Sequence, residues 1–181
     1  MEKADIEKYL VELNEELSKE GIVGEMNIYA GAAMCLVFSN RRSTHDIDAV
    51  FTPKQIIYGA ARKISERHGL PEDWLNDAVK GFVSEKGDFS LYMDLPNLRI
   101  YTTSPEYTLA MKCMSMRIGE SSDVDDIKVL LNHLKIRSVD EVVRVAESYY
   151  PPEMIPQKTF YALQEILEEA PFSGPSLSPH N

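Results

Sequence analysis

Ile6, Leu10, Leu13 and Leu17 recur with polar residues between them, a spacing that draws one apolar stripe along a helix over residues 3–19. Gly21 and Gly24 interrupt it. Residues 27–30 read as a short extended run, and 31–39, with Ala32, Ala33, Met34, Cys35 and Leu36, as a buried helix. Residues 41–45 are polar and form a turn. The run 46–51, Asp-Ile-Asp-Ala-Val-Phe, alternates and then ends apolar, which predicts a strand. Thr52 as N-cap, Pro53 at the first helical position and Gln55 three residues after the cap predict a helix over 53–68, closed by Gly69. Residues 72–79 add a short helix. Two extended runs, 89–95 and 98–102, flank Pro96-Asn97 as a hairpin. Ser104-Pro105 opens a helix to about 117, ended by Gly119. Ser122 with Asp125 opens another, to about 134. Ser138 with Glu141 forms a capping box for a helix to about 149, and Pro151, Pro152 and Pro156 precede a last helix near 157–169.

This order predicts an α/β (α+β) chain with a small mixed sheet flanked by helices. The expected organisation is a core over 1–103, a helical C-terminal part over 104–170 packed on it, and a Pro- and Ser-rich disordered tail over 171–181. The chain has 181 residues and a net charge of −10. That balance argues against a broad basic surface for nucleic acid but leaves room for a local basic cleft or a substrate held through a divalent cation. Cys35 and Cys113 have no CxxC partner and read as buried free thiols, in keeping with a reducing cytoplasm. The first residues lack an apolar signal core, and the longest apolar stretch, 28–38, is too short to span a bilayer. The expectation is a soluble, cytoplasmic protein with no membrane partner.

The chemistry concentrates at Asp46 and Asp48. Two residues apart on a strand, they share a face, with Ile47 turned into the core. Like charges forced together repel, and burying them unpaired is costly. A divalent cation relieves the conflict, and Mg²⁺ commonly takes one or two carboxylates plus phosphate oxygens and waters. The ordinary alternative is a strand edge with two solvated acids. Upstream, Tyr29-Ala30-Gly31-Ala32-Ala33 is a strand end, a Gly and small residues opening a helix, whose free N–H groups and dipole suit phosphate. One helix and a turn later the chain returns with the acid pair, so the cradle and the carboxylates can face one another.

Ala30-Gly31-Ala32-Ala33, followed by Arg42-Ser43-Thr44-His45-Asp46-Ile47-Asp48, resembles the nucleotidyltransferase superfamily signature of a glycine-containing turn, a helix, then Asp-x-Asp. The R-x-T-x-D-I-D form is similar to a bacterial branch related to AbiEii-type toxins of toxin–antitoxin systems. The downstream runs, 104–112 ending in Lys112 and Arg117 followed by Asp123, Asp126 and Ile127, extend the likeness, which spans 29 to about 131. The resemblance implies a Mg²⁺ (or Mn²⁺) site at Asp46 and Asp48, with Lys112 and Asp126 completing the catalytic set. It further implies substrate contacts from Gly31, Ala32, Arg42, Thr44 and Asp123. Its partners would be a nucleoside triphosphate, a tRNA or protein acceptor, and a cognate toxin or antitoxin. Two departures stand out. Ala30 replaces the first Gly of the usual pair, and no third strand carboxylate is obvious. Asp94 is followed by Leu95-Pro96, so the third acidic role falls to Asp123 or Asp126 or is missing. These departures motivate the competing reading, a fold-retaining binding or regulatory protein with weak or no catalysis.

Several residues carry a plainer reading beside the functional one. On a helical projection Lys112 sits at the border of an apolar face, where lysines usually reach for water. Acids in a first turn, such as Asp123, also suit the helix dipole. Thr44 can brace its turn through a hydroxyl–backbone bond. His45 is expected to be structural, and Trp74, Tyr149 and Tyr150 to pack in a core or interface rather than stack on a base.

Overall fold

The structure, a computed structural model, describes residues 1–38, 43–116 and 121–169. Seven helices and a five-stranded sheet follow in the order α1 (Lys3–Lys19), β1 (Gly24–Ile28), α2 (Ala30–Val37), β2 (Ile47–Thr52), α3 (Lys54–His68), β3 (Leu75–Asn76), β4 (Phe89–Leu95), β5 (Leu98–Thr103), α4 (Pro105–Ser115), α5 (Ser121–Leu134), α6 (Val139–Tyr149) and α7 (Gln157–Glu169). Short 3₁₀ turns cover Ala78–Phe82 and Pro152–Met154. The predicted mixed α/β architecture is therefore present. Arg42, Arg117 and the predicted tail at 171–181 lie outside the described residues.

The strands lie in the order β3-β2-β1-β5-β4. β1 is antiparallel to β2 and parallel to β5, β3 is parallel to β2, and β4 is antiparallel to β5. These directions gather the C-terminal ends of β1 and β5 and the N-terminal ends of β2, β3 and β4 at one edge of the sheet. The site is built there. Asp94 lies near the opposite end of β4, two-thirds exposed beside Arg99, which removes it as a strand carboxylate for that site.

The apolar stripe of α1 does what its period requires. Ile6, Leu10, Leu13 and Leu17 are fully buried against Met26, Ile28, Ile47, Ala49, Leu98 and Ile100 of the sheet and Ile57 and Ile64 of α3. Truncating one, Leu13→Ala for example, costs about 2–5 kcal/mol. In β2, Ile47, Ala49 and Phe51 face this core while Asp48 and Val50 face away. A second cluster joins Leu109 and Cys113 of α4 to Ile127, Leu130 and Leu131 of α5, Val142 of α6 and Leu163 and Ile166 of α7. Met34 of α2 belongs to it, so α2 is wedged between the two cores. Thr159 of α7 caps the Cys113 carbonyl from its buried hydroxyl at 2.8 Å.

Local signals hold where caps are short-range. The Ser104 hydroxyl accepts from the Tyr107 N–H at 3.0 Å, and Ser138 with Glu141 forms the expected box. Elsewhere long-range pairing overrides the local reading. β1 starts earlier than the expected run 27–30: Gly24 begins it, packed closely against Leu17, Ile57 and Leu98 where a larger residue would crowd. Thr52 ends β2 and Pro53 takes the N-cap position of α3 without a side-chain cap. Residues 72–79 do not form a helix. Leu75 and Asn76 instead pair beside Ile47 and Asp48 as a two-residue strand, too short for periodicity to reveal.

Candidate functional site

β2 enters the sheet at the gathered edge, and its first residues are held from both sides. The Ile47 N–H donates to the Trp74 carbonyl at 2.7 Å, and the Tyr29 N–H donates to the Asp48 carbonyl at 2.9 Å. The second bond fastens the start of α2 directly to the acid-bearing strand. Ahead of Asp46, Thr44 is buried, its N–H bonds the Met1 carbonyl at 2.9 Å, and its hydroxyl donates to the Asp46 carbonyl at 3.2 Å. That is the brace expected of it. Asp46 itself sits at a bend just before β2.

These constraints place Asp46 and Asp48, half-buried, on a cleft of about 670 Å³. Ala30, Gly31, Thr44 and His45 line it near the acids, with Asp73 and Asn76 beside them. Lys112 and Asp123 lie among the lining residues of α4 and α5. Of the predicted site residues, the cleft thus collects Asp46, Asp48, Lys112, Gly31, Thr44 and Asp123. Ala32 does not line it: its side chain is buried in the α1–α3 core, one step along the helix from Gly31. Asp126 is buried behind Lys112. Arg42 lies outside the described residues. His45, expected to be structural, is exposed and on the cleft wall.

Lys112 does not reach for water. It is 6% exposed, with its ammonium 2.6 Å from Asp123 Oδ1 and 2.7 Å from Asp126 Oδ2. An ammonium has three N–H donors, so two carboxylates leave one for a third acceptor. The pair of acids fixes the lysine on α4 and fully offsets its charge. A second unforeseen contact lies across the cleft. The Asn76 amide donates to Asp46 Oδ2 at 3.0 Å while its Oδ1 accepts from the Ala78 N–H at 3.0 Å. This neutral clamp orients Asp46 without neutralising it. Asn76, Asp73 and Phe82 escaped the sequence reading, and a two-residue strand offers no pattern to find them by.

Ala30 opens α2 with φ of +48°, in the left-handed region. A Cβ is disfavoured there by about 1 kcal/mol, so alanine occupies a turn whose geometry suits glycine. Below this turn Tyr29, Tyr107, Phe89 and Tyr149 pack edge to face or stacked. Burial pushes the Tyr149 phenol up to about 12 and raises Tyr29 further, so these hydroxyls stay protonated at neutral pH. The Cys113 thiol is pushed up to about 12 by burial and is no nucleophile. Trp74 is a core residue, donating from its indole to the Ala61 carbonyl at 3.0 Å.

Among the described residues no three His, Cys, Asp or Glu side chains converge as a metal cage. The donor set nonetheless fits Mg²⁺, which needs only one or two protein carboxylates when substrate oxygens and water supply the rest. Two carboxylates, Asp46 just before β2 and Asp48 within it, open on the same cleft, the first clamped by an amide, with a glycine-containing helix start fastened alongside.

Residues 8–166 match the family described as a nucleotidyltransferase of unknown function, DUF6036. The chain belongs to that nucleotidyltransferase family. The match takes in every element that lines the cleft and every predicted site residue. No curated protein and no solved structure matches the chain. For a nucleotidyltransferase, the placement of Asp46 and Asp48 beside the start of α2 brings an acid pair and a helix N-terminus to the same mouth. Among the described residues no helix is long and apolar enough to cross a membrane.

Proposed function

We propose that the chain is a metal-dependent nucleotidyltransferase that moves a nucleoside monophosphate from a triphosphate to a hydroxyl on an RNA end, a protein or a small molecule. One observation carries this reading: Asp46 and Asp48 open onto the cleft that Gly31 and Lys112 also line. Asp46 and Asp48 would hold Mg²⁺ (or Mn²⁺), which when bound offsets triphosphate charge and polarises the phosphoryl group. The backbone at Gly31, at the start of α2, would take phosphate oxygens. The remaining N–H of Lys112 would meet the departing pyrophosphate, with Asp123 and Asp126 holding the ammonium in place. The acceptor oxygen forms its bond to the α-phosphorus as the α–β bridging bond breaks. The hydroxyl proton passes to a cleft carboxylate, and pyrophosphate leaves.

Charge bears on the kind of acceptor contact. With −10 on the chain, a long RNA footprint is disfavoured, and a short contact at one RNA end fits better than a groove along a duplex. The likeness of Arg42 to Asp48 to the AbiEii-type motif supports a toxin–antitoxin component with a cognate partner and a tRNA or protein acceptor.

The test is incubation with each labelled triphosphate, Mg²⁺ or Mn²⁺, and cell extract, comparing the wild type with Asp48→Ala. Transfer of label to RNA or protein by the wild type alone names the acceptor class. Equal labelling by Asp48→Ala overturns the site.

A second reading, a catalytically weak binding or regulatory protein of the same fold, draws on the full offset of Lys112 by two carboxylates and on Ala30 at a left-handed position. Mg²⁺-dependent triphosphate binding without any transfer would favour it.

A further inference from the structure

The cleft has a wall that the carboxylates do not explain. Ala78, Val79 and Phe82 line it from the 3₁₀ turn, with Met111 of α4 also on the lining. Val79 and Met111 are buried, but Phe82 is 45% exposed. An exposed phenylalanine on a loose loop would mean little. This one stands on a turn that is tied down at its C-terminal end by three hydrogen bonds. The Tyr150 hydroxyl donates to the Phe82 carbonyl at 2.6 Å, the Ser84 N–H donates to the Tyr107 hydroxyl at 2.7 Å, and the Ser84 hydroxyl donates to the Tyr149 carbonyl. Tyr107 and Tyr149 below it have ring neighbours, whereas no aromatic ring contacts Phe82 among the described residues. The backbone is fixed and the ring is left open on the cleft.

The same segment is coupled to the acid pair. Asn76 bonds Asp46 with its amide and the Ala78 N–H with its carbonyl oxygen, and Ala78 begins the turn that ends at Phe82. A single short stretch of chain therefore sets Asp46 and carries an apolar, aromatic wall a few residues further on. A nucleoside triphosphate has this same polarity, with anionic phosphates at one end and a flat base at the other. A phenylalanine on a held backbone has only two side-chain torsions to order when a base binds, so the ordering cost is small.

We propose that Phe82 is the nucleobase platform of the cleft, its ring stacking on the base of the triphosphate whose phosphates lie at Asp46 and Asp48. The inference rests on the nucleotidyltransferase reading. It adds which residue takes the base and how. Stacking relies on a π-face that every base has, and removing such a platform typically weakens binding by about tenfold or more.

The test measures affinity by calorimetry for Mg²⁺·ATP and for Mg²⁺·tripolyphosphate, which has the phosphates without the base. The proteins are the wild type, Phe82→Ala and Phe82→Trp. The expected result is a roughly tenfold loss of Mg²⁺·ATP affinity in Phe82→Ala, with tripolyphosphate affinity unchanged. Phe82→Trp retains ATP affinity and shows indole fluorescence quenching on adding ATP beyond that of the wild type, whose Trp74 is buried. ATP affinity unchanged in Phe82→Ala, or equal losses for both ligands, overturns the platform while leaving the nucleotidyltransferase reading intact. A wild type that binds neither ligand overturns both.

Discussion

Two groups of carboxylates in this molecule live in opposite surroundings. On the outer face of α1, Glu16 is nearly buried, with the Lys19 ammonium at 2.7 Å, an Arg67 nitrogen at 2.8 Å and Lys63 at 3.6 Å. Glu12 next to it meets Arg67 and His68. Hydrogen bonds from Lys19 and Arg67 hold the Glu16 carboxyl at about 2 despite its burial. In the cleft, Asp46 has a neutral amide for its partner, and Lys112 is shared between Asp123 and Asp126. The first group joins α1 to α3 and is complete in itself. The second lines the cleft where, under the proposed function, a divalent cation and a triphosphate would sit. Glu12 and Glu16 are matched by cations at the seam of α1 and α3, whereas Asp46 is positioned by a neutral amide on the cleft wall.

The comparison breaks most visibly at Asp48. Asp48→Ala should lower label transfer by about a thousandfold or more, while thermal melting stays within about 0.5 kcal/mol of wild type. A large loss of stability with activity retained would place Asp48 in the structural group. Lys112→Ala tests the shared lysine. It removes the ammonium held between Asp123 and the buried Asp126 and should cost about 3–5 kcal/mol in urea unfolding. The double variant Lys112→Met with Asp126→Asn should recover much of that loss, and no recovery would show that packing of the lysine stem dominates.

Glu16 sharpens the other side. Its folded pKa lies below the unfolded value, so its contribution is fully present above about pH 4.5 and is lost as pH falls through about 2. The shift sets a ceiling of about 3 kcal/mol, and exposure of Lys19, Lys63 and Arg67 to solvent reduces it to about 1–2. Glu16→Gln should flatten the fall of Tm across that acid range, and an unchanged slope would assign the acid sensitivity elsewhere. The smallest effect is expected at the turn beside the acids. Ala30→Gly relieves the left-handed strain and should stabilise the chain by about 0.5–1 kcal/mol by denaturant midpoint. Destabilisation would mean that the Ala30 methyl packs usefully against the Tyr29 and Tyr107 cluster.

Much of this was legible along the chain. The stripe Ile6, Leu10, Leu13 and Leu17 and the alternation around Ile47 depend on the period of one element, so residue order alone determined them. The same alternation turned Asp48 away from the core, and hydroxyl caps at Ser104 and Ser138 marked their helix starts through contacts three residues long. What only the tertiary structure decided came from partners distant in sequence. Gly24 entered a strand because Leu98 of β5 pairs with it, and Leu75 and Asn76 became a strand because β2 offered an edge. Lys112 gave up solvent because α5 set two carboxylates at its tip, and Asn76 reached Asp46 across thirty residues of chain. Phe82 remained open because the tyrosines of α4 and the end of α6 hold its backbone while leaving the residue partly exposed on the cleft. Local periodicity is short-range physics and is written in residue order. The pairing of charges, the edge of a sheet and the exposure of a ring depend on which surfaces meet, and that is settled when the chain folds.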